Sequence, residues 1–153
     1  MIYLAIDPGS VSGAYAAIDH NNTFIGCGDI PNKGGCVLPK LLSIKLQELI
    51  PKHDSCEIII ENVHAMPKQG VSSTFNFGRA YGVIEAVANM TAYPVHFVSA
   101  QCWKKHHGLI GKPKTASVDL ARSIWPSAPL NLKRHHGRAD ALLMALYGLR
   151  TLA

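Results

Sequence analysis

Met1–Ile18, MIYLAIDPGSVSGAYAAI, is the stretch whose reading decides the fold. The apolar run from Ile2 to Ile6 reads as a short strand buried on both faces, of the kind that lies mid-sheet beneath helices, and Asp7 ends it. Pro8 and Gly9 form a turn pair, after which Ala14 to Ile18 returns as the second arm of a hairpin. A carboxylate at the lip of a central strand is partly desolvated, so it must be paired, hydrogen-bonded or bound to a cation. Asp7 also suits the lesser task of capping the turn, and this stretch alone leaves both open.

Working outward, His20-Asn21-Asn22 signals a turn and Thr23 to Ile30 a third strand, giving a three-stranded antiparallel meander. Pro31 to Gly35 reads as a loop. From Val37 to Ile50 a helical stripe of Leu38, Leu41, Leu42, Leu46 and Leu49 stands opposite Lys40, Lys45 and Glu48, and Pro51 stops it. Ile58 to Ile60 is a further buried strand that also ends in an acid, Glu61. A strand reached through a helical crossover usually runs parallel to its neighbour, so Asp7 and Glu61 are expected on the same sheet edge.

Residues 62–71 read as irregular, and Ser72 or Ser73 as the cap of a helix reaching about Met90. Val95 to Val98 is a fifth strand. Between Gln101 and Lys114, Trp103, Lys104, Lys105, His106, His107, Lys112 and Lys114 crowd together. A helix over Thr115–Ile124 ends before Pro126, Pro129 to His136 is a basic loop, and a final helix from Gly137 to about Leu152 is apolar nearly all round. There is no internal repeat, low-complexity tract or interdomain linker.

With 153 residues, 48% of them hydrophobic and 16% charged, the chain fits one compact domain, residues 1–153. No apolar run reaches membrane-spanning length, and no basic region with a cleavage site opens the chain, so the expectation is a soluble protein kept inside the cell. Cys27, Cys36, Cys56 and Cys102 lack C-x-x-C spacing, which argues against zinc, and are expected to be reduced. Charge is uneven. Residues 1–67 carry four Lys/Arg against seven Asp/Glu, net −3, whereas residues 68–153 carry eleven against three, net +8. The second half therefore suits a polyanion, with Lys68, Arg79, Lys105, Lys112 and Arg134 among the candidate nucleic-acid contacts.

The last helix holds one acid, Asp140, within ADALLMALYG. Left unpaired on a packed helix it would cost several kcal/mol. His136 precedes it by four residues, the spacing by which one helix offers two ligands, although Arg138 is a possible ion-pair partner instead. Of ten acids, Asp7, Glu61 and Asp140 are the three set most deeply in apolar sequence. Converging carboxylates repel one another and need divalent cations, and oxygen ligands favour magnesium or manganese. Two such ions about 3.5 to 4 Å apart can hold the attacking water and the departing oxygen of a phosphodiester.

Three opening strands, a helix, a strand ending in Glu and a late helix bearing Asp resemble the ribonuclease H-like fold: α/β, a five-stranded mixed sheet flanked by helices. The motifs AIDPG, IIIEN and HHGRADALLMALYG resemble those of the RuvC family of Holliday junction resolvases, particularly its phage and organellar-type members, over Met1 to about Arg150. The resemblance implies a homodimeric endonuclease that cuts four-way DNA junctions at paired, symmetrical phosphodiesters. It implies two Mg2+ ions per subunit, with Mn2+ able to substitute and no small-molecule cofactor, held by Asp7, Glu61 and Asp140 with His136 nearest the fourth position. Many relatives have Asp at or beside that position, where this chain has His135, His136 and Gly137; imidazole is a poorer ligand for magnesium than for manganese, so either His136 acts as ligand or general base or the second ion is weakly held.

By the same resemblance Lys104 and Lys114 fall beside the scissile phosphate, and His64 where relatives place an aromatic against unpaired bases. Phe75, Phe77 and Tyr81 could supply that stacking, or belong to the core or a dimer interface. Gly78, Ala80 and Gly82 would let the helix bearing them approach a second copy closely. The expected setting is a bacterial or phage-infected cytoplasm. Two rivals are a ribonuclease H-like nuclease acting on other branched DNA or RNA, and a junction-binding protein with weak cleavage. An actin-like ATPase would need a second domain.

Overall fold

The computed structural model describes residues 1–52 and 54–152. In chain order its elements are β1 (Ile2–Asp7), β2 (Ala14–Asp19), β3 (Phe24–Asp29), β4 (Asn32–Lys33), β5 (Cys36–Val37), α1 (Pro39–Glu48), β6 (Cys56–Asn62), α2 (Val71–Asn89), β7 (Val95–Ser99), α3 (Ala100–His106), α4 (Thr115–Ile124), a 3-10 turn (Lys133–His135) and α5 (His136–Thr151). The main sheet has the order β3-β2-β1-β6-β7. β1, β2 and β3 are antiparallel neighbours, and β1, β6 and β7 run parallel. This is the five-stranded mixed sheet expected from the sequence.

Register carries the two strand acids to one place. Ile6 pairs with Ile60 across β1 and β6, so Asp7 and Glu61 follow together at the same edge. Successive side chains of a strand alternate between faces. Ile2, Leu4, Ile6, Ile58 and Ile60 pack on one face with Leu42 and Leu46 of α1 and Ala80, Ile84 and Val87 of α2. Tyr3, Ala5 and Ile59 pack on the other, with Trp103, Val118, Trp125 and the apolar length of α5. By that alternation Asp7 and Glu61 belong to the α5 face. Each fully buried Leu or Ile on either side contributes about 1.5 to 3 kcal/mol relative to exposure.

Several local expectations are corrected. Residues 31–35 are not a plain loop: β4 and β5 form a small hairpin, possible because Gly34 and Gly35 adopt φ of 59° and 79°, which side-chain-bearing residues resist. α1 is shorter than the expected Val37–Ile50, beginning with Pro39 at its first turn, and only Leu42 and Leu46 of the leucine stripe are buried within it. α2 is capped by Gly70 without a side-chain bond, not by Ser72 or Ser73, because it starts at Val71. Ala80 is buried in the core, so only Gly78 and Gly82 of the proposed small-residue surface stand in open space. The basic crowd after β7 contains an extra helix, α3, whose cap Ser99 accepts the Cys102 N–H at 3.2 Å. All four cysteines are free.

Candidate active site

α5 reaches the acid-bearing edge because its first turn is stripped and anchored. A Cβ on Gly137 would lie 2.9 Å from the Ser12 carbonyl oxygen and 3.2 Å from Asp7 Oδ2, so only glycine lets the helix start come this close to the β1 end. Arg138 then fixes the turn: Nε donates to Asp29 Oδ1 at 2.7 Å, Nη2 to Asp29 Oδ2 at 3.0 Å and Nη1 to the Pro129 carbonyl at 3.2 Å. Arg138 is thus committed to β3 and is not the partner of Asp140. Asp140 Oδ1 is buried with no hydrogen-bond partner. An orphaned carboxylate oxygen of this kind calls for a cation.

Asp140 and His136, one turn apart on α5, line a cleft of about 300 Å3 together with Lys104, Lys112, Lys114 and Ser117. Asp7 and Glu61 do not line this cleft but share its electrostatics. Burial pushes the Asp7 carboxyl well above the usual carboxylate range, the negative charges of Asp140 and Glu61 push it further, and Lys104 pulls it back. Burial likewise raises Glu61, against the Trp103 hydrogen bond and Lys104. It raises Asp140 against Ser117, Lys104, His136 and Lys114. The three acids form one coupled group with Lys104 acting on all of them.

Among the described residues no three His, Cys, Asp or Glu side chains are gathered closely enough to hold a metal ion. The chemistry of the donor set nevertheless fits a hard divalent cation: three carboxylates under mutual repulsion, one with an unpartnered buried oxygen. A bound cation would offset that repulsion.

Of the two adjacent histidines, His135 is turned inward, 4% exposed, and its Nδ1 accepts the Leu132 N–H at 3.3 Å. His136 faces the cleft. Lys104, Lys112 and Lys114 therefore gather with His136 and Asp140, while Lys68, Arg79, Lys105 and Arg134 lie exposed outside the cleft. His64 is exposed beside a separate hollow of about 110 Å3 that it lines with Phe77 and Tyr81. Phe75, at 69% exposure, is not a core residue.

Two contributors were not read from the sequence as site residues. Ser117 is buried beside Asp140, and its only sequence signal was its place on the α4 face that turns inward. Trp103, noticed only as part of a basic crowd, is fully buried and donates its Nε1–H to Glu61 Oε2 at 2.7 Å.

Sheet order, register and the convergence of an acid-bearing helix on the β1–β6 edge define the ribonuclease H-like class of fold. Within it, the chain is similar to RuvC of Thermus thermophilus: a TM-score of 0.65 at 15% identity, over 98% of this chain and 96% of that one. For the T. thermophilus RuvC bound to Holliday junction substrate the values are 0.65 and 16%, over 95% and 90%. At these identities the likeness establishes the fold. In sequence, 50 residues are 50% identical to the chloroplastic Holliday junction resolvase MOC1 of Chlamydomonas reinhardtii, covering 31% of this chain and 6% of that protein's length. No protein-family model matches the chain. No helix among the described residues is long and apolar enough to cross a membrane.

Proposed function

We propose that the protein is a divalent-metal-dependent endonuclease that resolves four-way DNA junctions, acting as a homodimer with one site per subunit. The observation that carries the reading is the coupled acid group of Asp7, Glu61 and Asp140 beside a lysine-lined cleft, on a fold shared with a protein solved with Holliday junction substrate. Asp7, Glu61, Asp140 and His136 would hold Mg2+ or Mn2+, two ions per subunit. Such ions supply Lewis-acid activation of water and stabilisation of the departing oxygen.

The chain's own groups do the rest. Lys104 and Lys114 oppose the charge of the scissile phosphate, and Lys112 extends the cation-lined wall on which a strand would lie. Such contacts carry affinity without sequence preference. Lys68, Arg79, Lys105 and Arg134, outside the cleft, would meet the junction arms, and His64 with Phe77 and Tyr81 offers a stacking surface near the crossover. The two-fold axis of a homodimer would match that of a four-way junction and align two sites on symmetry-related phosphodiesters.

The test is incubation of a synthetic four-way junction, a linear duplex and a single-stranded flap with protein and Mg2+ or Mn2+, followed by strand-resolved mapping of the nicks. Paired nicks at symmetrical positions, confined to the junction, support the reading. Cutting of all three substrates alike favours the broader nuclease, and tight junction binding without nicks favours a binding protein.

A further inference from the structure

The metal-site reading leaves unexplained why a fully buried tryptophan donates its N–H to one of the three acids. Trp103 sits on α3, and its 2.7 Å bond to Glu61 Oε2 links residues 42 apart in sequence. An indole N–H donates only, carries no charge and sits on a ring whose orientation is fixed by packing. It can tie one oxygen of a carboxylate without neutralising the acid, which a lysine or arginine in its place could not do. The other Glu61 oxygen is not engaged by the indole.

The surroundings hold the indole in place. Ser99, the last residue of β7 and the neighbour of Asn62 in the sheet, caps α3, so the helix starts from a strand paired with the one that carries Glu61. Lys104, the next residue, places Nζ 5.2 Å from the centroid of the Trp103 ring and lines the cleft with Asp140. One turn of α3 thus anchors an acid on one side and presents a cation on the other. Trp125 provides the internal contrast. It is also buried, and its indole N–H goes at 3.0 Å to the carbonyl of Asn22, in the β2–β3 turn away from the acids.

We infer that Trp103 is a positioning residue for metal binding, its indole N–H holding one oxygen of Glu61 so that the carboxylate would be oriented for a divalent ion bound by the acid group. The inference rests on the metal-dependent reading above. Hydrogen-bonded partners of metal ligands typically carry about 10- to 100-fold in metal affinity.

The test measures Mn2+ affinity of DNA-free protein, from the electron paramagnetic resonance signal of unbound Mn2+, for wild type, Trp103→Phe and Trp125→Phe. Phenylalanine keeps an aromatic ring and removes the N–H. Weakening of about tenfold or more in Trp103→Phe, with Trp125→Phe at the wild-type value, is expected. A folded Trp103→Phe that binds Mn2+ as tightly as wild type overturns the inference while leaving the metal site intact. A wild type that binds no Mn2+ overturns the metal-site reading and this inference with it.

Because Trp103→Phe could fail to fold, a second measurement uses the intact side chain. The two indole N–H resonances of the 15N-labelled protein are assigned with Trp125→Phe, then followed on Mg2+ addition and in Glu61→Gln. Movement of the Trp103 resonance in both cases, with that of Trp125 unmoved, is expected. A Trp103 resonance indifferent to both changes overturns the inference.

Discussion

The two faces of the sheet are built to opposite rules. Against α1 and α2, the sheet buries a cluster of Ile2, Leu4, Ile6, Ile58, Ile60, Leu42, Leu46 and Ile84. Against α3, α4 and α5 a comparable apolar cluster is interrupted at one rim by Asp7, Glu61, Asp140, Ser117 and the indole of Trp103. Strand alternation assigns Asp7 and Glu61 to that second face, so one face supplies cohesion and the other carries electrostatic repulsion at its edge, as the proposed metal site would require. Changes on the two faces should separate activity from stability.

The largest effect is expected from Asp7→Asn on the α5 face: junction cleavage falls by roughly a thousandfold or more, equivalent to about 4 kcal/mol of barrier. The folded state loses nothing, because one of three repelling charges is gone. Gel-based cleavage rates and thermal melting in EDTA check the pair; a variant that cleaves normally, or melts much lower than wild type, breaks the contrast. On the opposite face, Leu42→Ala removes a fully buried side chain remote from the acids. It should lower unfolding free energy by about 2 to 5 kcal/mol while leaving the cleavage rate of the folded fraction unchanged. Denaturant titration beside cleavage below the melting temperature measures both.

A smaller effect concerns which metal serves best. With imidazole at 136, activity should favour Mn2+ over Mg2+, and His136→Asp should move the ratio toward Mg2+ by about tenfold, near 1.4 kcal/mol. Identical metal dependence in the two proteins would contradict a role for His136 at the ion.

The smallest effect is in pH. The folded-state values of Asp7, Glu61 and Asp140 are raised above their unfolded ones, so in metal-free protein the folded state holds protons that the unfolded state has already released. That stabilisation is complete below the unfolded carboxylate range, near pH 4, and is lost as pH rises through the raised folded values. Asp29, lowered by Arg138, has the opposite sign and matters only on acidification toward that range. Between pH 5 and 8 in EDTA the melting temperature should therefore fall by a few degrees more in wild type than in Asp7→Asn. Parallel profiles would show that the Asp7 carboxyl is not raised in the folded state.

Much of this arrangement could be read from the chain because it rests on local pattern. The Ile2–Ile6 and Ile58–Ile60 runs, each closed by an acid, and the crossover between them placed Asp7 and Glu61 at one edge; the apolar final helix set off Asp140. α4 emerged with its expected bounds because Pro113 and Pro126 bracket it. α3 did not, since Lys104, Lys105 and His106 mask its single inward residue, Trp103, although Ser99 was present as a cap signal. The leucine stripe of α1 overstated burial because Leu38 and Leu41 lie on its solvent side. The Trp103–Glu61 bond and the Gly137 approach to Asp7 are tertiary contacts between distant residues, with no periodicity or spacing to announce them.

The central claim, that three acids act as one site, is tested most directly by cleavage rates of a four-way junction with Asp7→Asn, Glu61→Gln, Asp140→Asn and the triple variant. If they act as a unit, each single variant loses nearly as much activity as the triple, since removing one member disables the rest. One acid that can be replaced with little loss, or losses that multiply from single to triple, would contradict it.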